Sequence, residues 1–228
     1  MTSQVHIVTT FSPEGFQLYG DKFIDSFKSD DVSLFVGVED AIDKYPKKEK
    51  VTYLNISRSL SEFLFNNYVS KIDPNLSKLY LFHAHKFCFK TLILNNPHLP
   101  ADGLRVWIDG DVFFKSKINK DFILNLIQDN DLVYLGREYW HHSECGFLIF
   151  RLNEFGKSFL ARWHWFYTSG RFANLVEWHD SYLFDFVLRE FGNKNVKNIT
   201  ENISDKDVFN NHSILSKYMT HNKGNLKY

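Results

Sequence analysis

The chain predicts a single α/β domain: a mostly parallel sheet flanked by helices. Three observations predict it. In the first half, short β-branched apolar runs alternate with segments whose apolar residues recur every three or four positions, the pattern of strands joined by crossover helices. The 228 residues carry no internal repeat, no Pro- or Ser-rich linker and no low-complexity block, so one core is expected. Polar residues Thr9-Thr10, Glu39 and Asp109 fall at the carboxyl ends of three of the runs, where parallel sheets bind ligands.

Val5–Thr10 (VHIVTT) is the first strand. Glu14–Lys28 carries Phe16, Tyr19, Phe23 and Phe27 at helical spacing. Val32–Val38 and Val51–Ile56 are the second and third strands, separated by the solvated loop KYPKKEK. Ser59–Lys71 and Leu76–Leu94 read as helices, the latter burying Leu79, Phe82, Phe89 and Ile93. Arg105–Asp109 is the next strand, followed directly by Val112-Phe113-Phe114. The second half is less regular. Phe122–Ile127 is helical, Leu132–Leu135 and Gly146–Arg151 are strands, and Glu154–Tyr167 and His179–Phe191 are helices. From about Ile203 to Tyr228 the chain is polar and poorly periodic.

Composition narrows the function classes. Formal net charge is zero, which argues against general attraction to nucleic acid or to an anionic membrane. No apolar run is long enough to span a bilayer. The start MTSQVHIVTTF is not a signal peptide, so a cytoplasmic protein is expected. The 23 phenylalanines suit a large core or a stacking pocket. Cys88 and Cys145 sit among apolar neighbours and read as buried free thiols.

The chemistry concentrates at Asp109-Gly110-Asp111. Two carboxylates one residue apart at the end of an apolar strand repel each other, and burial beside Trp107 and Phe113 raises the cost. A hard divalent ion, Mg²⁺ or Mn²⁺, removes that penalty. Gly110 lets backbone and ligand approach closely. Taken alone, Asp-Gly-Asp is also good turn chemistry. A second signal lies at the far end, in His221-Asn222-Lys223-Gly224-Asn225-Leu226-Lys227. His221 can give an imidazole to a metal already held by carboxylates, Gly224 allows a tight turn beneath a phosphate, and Lys227 places an ammonium on the anion.

Together these two motifs resemble the D-x-D and H-x-x-G-x-x-K motifs of GT-A-fold glycosyltransferases, most closely the glycogenin and galactosyltransferase group (family 8-like). The resemblance implies a Rossmann-like GT-A domain. Residues 1–115 would form its nucleotide-binding half, and residues 116–228 its acceptor half with a C-terminal lid. It implies transfer of a sugar from a nucleoside-diphosphate sugar, with UDP the favoured nucleotide, to a hydroxyl acceptor such as a glycan. Asp109, Asp111 and His221 would be the ligands of Mn²⁺ (or Mg²⁺), with Asp109, Gly224 and Lys227 at the diphosphate. Thr9 and Thr10 would lie beside the nucleotide and Glu39 at the nucleobase. The group's usual Pro-Trp after the lysine is absent, since Tyr228 follows Lys227 here.

Other residues carry two readings each. His83, Lys86 and Lys90 share a helical face, either a solvated surface or a cationic stripe meeting the donor phosphates or pairing with Asp109, with Lys86 the preferred member. Asp180 falls in the first turn of a helix, where a capping role suffices. By resemblance an acid at this point is the general base or holds the acceptor. Trp178 suits core packing or stacking on a ring. In Tyr139–Gly146, His141, His142 and Glu144 could form a second metal site, but adjacent strand residues point oppositely, so an acceptor-lining or ordinary polar loop is the better reading. Gly146 resembles the glycine that lets the sugar approach the strand. His164 and His212 read as structural. Outside this family, paired carboxylates also serve nucleotidyltransferases, although Thr9–Gly15 is not the glycine-rich basic loop those enzymes use. A sugar- or nucleotide-binding module with a decayed site, and a glycosyltransferase acting on a modified DNA base, are further alternatives.

Overall fold

A computed structural model describes residues 4–56, 58, 61, 64–66, 79–138, 142–212 and 214–222. Its frame is a seven-stranded sheet with order β3-β2-β1-β4-β7-β6-β8. The strands are β1 (Val5–Phe11), β2 (Ser33–Val38), β3 (Val51–Asn55), β4 (Leu104–Ile108), β6 (Leu132–Leu135), β7 (Glu144–Arg151) and β8 (Val196–Asn198). Neighbours pair in parallel except at β7, which runs against both β4 and β6. A separate two-stranded ribbon joins β5 (Val112–Phe114) to β9 (Met219–His221) in antiparallel register, Val112 opposite His221.

Alternation along the strands splits the core into two layers. On one face Ile7, Leu34, Val36, Val106, Ile108 and Phe147 pack on the N-terminal helical segment. That segment runs from α1 (Pro13–Gly15) through a π-helical turn, Phe16–Gly20, into α2 (Asp21–Ser26). Ser12 caps it, its hydroxyl accepting from Gly15 N at 3.1 Å, with proline at the first helical position. Helix α4 (Lys120–Ile127) and two short C-terminal helices, α7 (Val208–Asn211) and α8 (Leu215–Tyr218), cover the same face. On the other face Val8, Trp107, Leu148 and Phe150 meet α3 (Ala84–Leu94), α5 (Glu154–Thr168) and α6 (Asp180–Phe191).

Among the described residues the expected elements are present with shifted ends, apart from three differences. The helix expected over Leu76–Leu94 begins only at Ala84. Tyr80–Phe82 forms a single 3₁₀ turn, and His83 leaves helical geometry at φ −79° and ψ 52°. The Leu81 carbonyl accepts from Trp178 N at 2.7 Å, so this acceptor is drawn into a tertiary bond as the chain turns. Leu79, expected to be buried, is 53% exposed. The tail from Ile203, aperiodic in sequence, holds α7, α8 and β9, elements too short to show a period. Strand β8 gave no signal because its three residues are only half-buried. The helix expected over Ser59–Lys71 lies mostly outside the described residues.

Candidate active site

Strand β4 delivers Asp109 to the carboxyl edge of the sheet, where Asp109 N donates to Gly146 O of β7 at 3.0 Å. The chain turns immediately, Val112 N returning to Asp109 O at 3.1 Å, and β5 begins. Gly110 is required at this turn: a Cβ there would come within 2.4 Å of the Phe11 ring. Because β9 pairs with β5, His221 is set directly against the triplet. Its Nε2 lies 2.9 Å from Asp111 Oδ1 and 3.9 Å from Asp109 Oδ2. Asn210 holds the strand end. Its side-chain oxygen accepts from His221 N at 2.9 Å and its amide donates to His221 O at 2.9 Å.

These groups open into a cleft of about 650 Å³. Thr10, Tyr80, Lys86, Trp107 and Lys206 line it beside the triplet, and Glu144, Asp180, Asp205 and Asp207 add carboxylates. Glu144 enters because β7 is reversed, which puts its first residue at the edge where the parallel strands end. Glu144 is ion-paired to Arg137, and its Oε1 accepts from Gly146 N at 3.0 Å and lies 3.8 Å from His221 Nδ1. Gly146 has no room for a side chain. A Cβ would sit 2.9 Å from both Glu144 Oε1 and His221 Cε1. The space above this glycine is thus filled by the imidazole and the Glu144 carboxylate.

Lys90 is the buried cation of the site. It pairs with Asp180 and lies 3.1 Å from Asp109 Oδ1, and it donates to Cys145 O at 2.9 Å. Burial alone would push its ammonium down, but the Asp109 and Asp180 carboxylates more than offset that and hold it above its ordinary value. Burial likewise raises Asp180, yet the Lys90 charge and hydrogen bond win and its carboxyl is held low. Ser181 N, at the start of α6, donates to Asp180 Oδ1 at 2.9 Å. Asp109 Oδ1 also accepts from the Trp107 indole at 2.7 Å.

A divalent ion fits this set. The lining carries six carboxylates against four cations, an excess of two negative charges among the described residues. Donor atoms of Asp109, Glu144 and His221 all lie within 4.8 Å of one another. His221 is 4% exposed, and its Nδ1 has no hydrogen-bond partner among the described residues. Oxygen-rich donors with one imidazole suit Mn²⁺ or Mg²⁺.

The structure brings Asp109, Asp111, His221, Asp180, Thr10 and Lys86 to one cleft. It corrects others. Thr9 is wholly buried off the cleft, because successive strand residues point to opposite faces and Thr10 takes the open one. Glu39 follows β2, which is separated from β4 by β1. It does not line the cleft and lies 3.9 Å from Arg58 Nε. Lys86, preferred on its helical face, is exposed at the cleft wall, whereas Lys90 one turn further pairs with Asp109. Gly224 and Lys227 lie outside the described residues. Trp178 is core, packed edge-on to Phe82 and Phe172. His164 is bonded to Thr91, and His212 accepts from Leu215 N, both structural as expected. Cys88 and Cys145 are free and buried. Sequence reasoning missed Arg137, Asn210 and Asp205–Asp207, which sit in loops or short helices with no periodic signal.

No family model and no curated protein matches the sequence. Among the described residues no helix is long and apolar enough to cross a membrane. Among solved structures, mouse xyloside xylosyltransferase 1 in its apo form matches with a TM-score of 0.53. That match is at 11% identity and covers 86% of this chain and 84% of that one. The mostly parallel sheet, its single reversed strand and this likeness give the chain the GT-A, Rossmann-like α/β fold.

Proposed function

We propose that the chain is a metal-dependent glycosyltransferase that moves a sugar from a nucleoside-diphosphate sugar, UDP by preference, to a hydroxyl acceptor such as a glycan. One observation carries this reading. Asp109-Gly110-Asp111 at the carboxyl end of β4 meets His221, 110 residues away, in a cleft with surplus negative charge. Such a cleft repels a diphosphate unless a cation lies between them.

Asp109, Asp111 and His221 would hold that ion, with Glu144 beside them. Bound there, it offsets the charge that grows on the departing diphosphate. Trp107 and Lys90 fix the Asp109 carboxylate through one oxygen, leaving Oδ2 turned toward His221. Lys86 and Lys206 on the cleft walls supply charge to the donor phosphates, and Tyr80, 59% exposed, offers a ring face to a sugar or base. In the reaction the bond from the anomeric carbon to the diphosphate breaks, a bond to the acceptor oxygen forms, and the acceptor proton must leave. Asp180 is a poor base for that proton, because Lys90 holds its carboxyl low and ion-paired. The arrangement favours proton transfer to the departing phosphate on the same face, with retention of configuration, and casts Asp180 as a positioning residue. Residues 1–115 would then supply the nucleotide-binding half and residues 116–228 the acceptor half, although Glu144, Lys206 and His221 of the latter reach the donor side, where Gly224 and Lys227 would act as a lid over the diphosphate.

The test is thermal stabilisation and sugar hydrolysis with Mn²⁺ and a panel of UDP- and GDP-sugars. Stabilisation that needs metal and nucleotide together, lost in Asp109→Asn, is the expected result. Equal responses from wild type and Asp109→Asn, or no response to any sugar nucleotide, would sink the reading.

A further inference from the structure

A second group of metal-binding side chains lies outside the cleft. His142, just before β7, meets Glu177 and His179, just before α6. The donor atoms of all three lie within 4.8 Å of one another. Glu177 Oε2 is 2.9 Å from His142 Nε2 and 2.7 Å from His179 Nε2. The two imidazoles converge on it with ring centroids 5.0 Å apart and planes 67° apart. Behind His142 stands a carboxylate: Asp185 Oδ2 lies 3.5 Å from Nδ1. That carboxylate is itself fixed by Ser143, whose N–H and hydroxyl donate at 2.9 and 2.6 Å. A carboxylate behind a ligating histidine is the usual support of a metal-bound imidazole; Asp185 stands at ion-pair distance and would close to a hydrogen bond when His142 Nδ1 carries the proton.

From this geometry we infer that His142, Glu177 and His179 form a zinc site outside the cleft, whose ion takes no part in the bonds made and broken by the proposed transfer reaction. Two imidazoles and one carboxylate are a borderline nitrogen-rich set, which Zn²⁺ takes with water in the fourth position. The cleft cluster is oxygen-rich and takes Mn²⁺ or Mg²⁺. His179 is 4% exposed, while the His142 and Glu177 side chains are about one-fifth exposed, so ion and water have an entry path. His179 Nδ1 accepts from Tyr182 N at only 3.4 Å, a weak cap that a protonated Nδ1 gives up at small cost. Bound zinc ties the β6–β7 loop to the N-terminus of α6. Asp180 follows His179 directly, and the His179 ring lies 5.7 Å from that of Tyr80, so the clamp braces one wall of the cleft.

The experiment uses the full chain with both cleft aspartates replaced, Asp109→Asn with Asp111→Asn, stripped with chelator and titrated with Zn²⁺ by calorimetry. One zinc per chain is expected, weakened at least tenfold by His142→Gln and by Glu177→Gln. X-ray absorption on the zinc-loaded cleft variant is expected to show two imidazoles with oxygen donors, a readout that needs no substitution in the cluster. Absence of stoichiometric zinc, affinity unchanged in His142→Gln, or a shell without two imidazoles overturns the assignment. Mn²⁺ and nucleotide binding by the otherwise wild-type His142→Gln chain separates this outcome from failure of the glycosyltransferase reading.

Discussion

Replacing Lys90 with methionine removes one charge from the most buried ion pair of the site. The Lys90 and Asp180 side chains are only 7% and 6% exposed, whereas Asp109 is 27% exposed and keeps some water. The loss therefore falls mainly on Asp180, left as a buried carboxylate without its cation. Breaking a buried pair from one side costs about 3–5 kcal/mol, which for a domain of this length lowers Tm by about 10 °C. The sign with pH follows from the shifts. In the wild type Asp180 is held below its ordinary 3.8, so its contribution is present above that value and lost as pH falls through the depressed one. Lys90 is held above its ordinary 10.5, so its contribution is complete at neutral pH and fades only in strong base. In Lys90→Met the largest opposing charge is gone and only His179 and the Ser181 N–H still counter burial, so Asp180 is raised and the variant's deficit shrinks between about pH 7 and pH 5. Adding Asp180→Asn should recover part of the loss. Urea unfolding followed by circular dichroism at the two pH values measures all of this. A neutral-pH deficit below about 1 kcal/mol, or one that does not shrink on acidification, would refute the reasoning.

Gly146→Ala should push His221 away from Asp111, because the added carbon meets Glu144 Oε1 and His221 Cε1 at 2.9 Å. Mn²⁺ affinity by calorimetry should fall about tenfold or more while the far-ultraviolet spectrum is unchanged. Gly110→Ala meets the buried Phe11 ring at 2.4 Å and should cost about 1–3 kcal/mol in chemical denaturation. Asn210→Ala deletes three hydrogen bonds to Thr220 and His221, and should weaken Mn²⁺ binding with a stability loss of about 1–3 kcal/mol. Burial pushes the thiols of Cys88 and Cys145 up, so a disulfide reagent should label neither in the native protein and both after unfolding.

Most of the sheet was legible because its strands are continuous apolar runs, and Asp109 because it ends one of them. His221 was legible only as a partner in a two-part motif, since nothing local marks Met219–His221 as a strand. Its pairing with Val112–Phe114 spans more than one hundred residues. Glu144 was obscured by strand direction. A search for polar residues after strands finds Asp109, but a reversed strand presents its beginning. Lys90 against Lys86 was a choice within one helical face, decided by where α3 packs against β4 and α6. Thr9 and Glu39 were assigned by the family resemblance together with their places at strand ends, which fix the edge of a sheet but not the side.

The β5–β9 ribbon also bears on how the molecule acquires its site. The seven-stranded sheet completes its hydrogen-bond ladders without β9, and only three residues pair in the ribbon. Closing so long a loop for so few bonds is entropically late, so the sheet should fold first and His221 dock afterwards. The same order read backwards makes β9 the cheapest segment to release from a folded sheet. Amide hydrogens at Thr220 and His221 should then exchange through a local opening well below the global unfolding free energy.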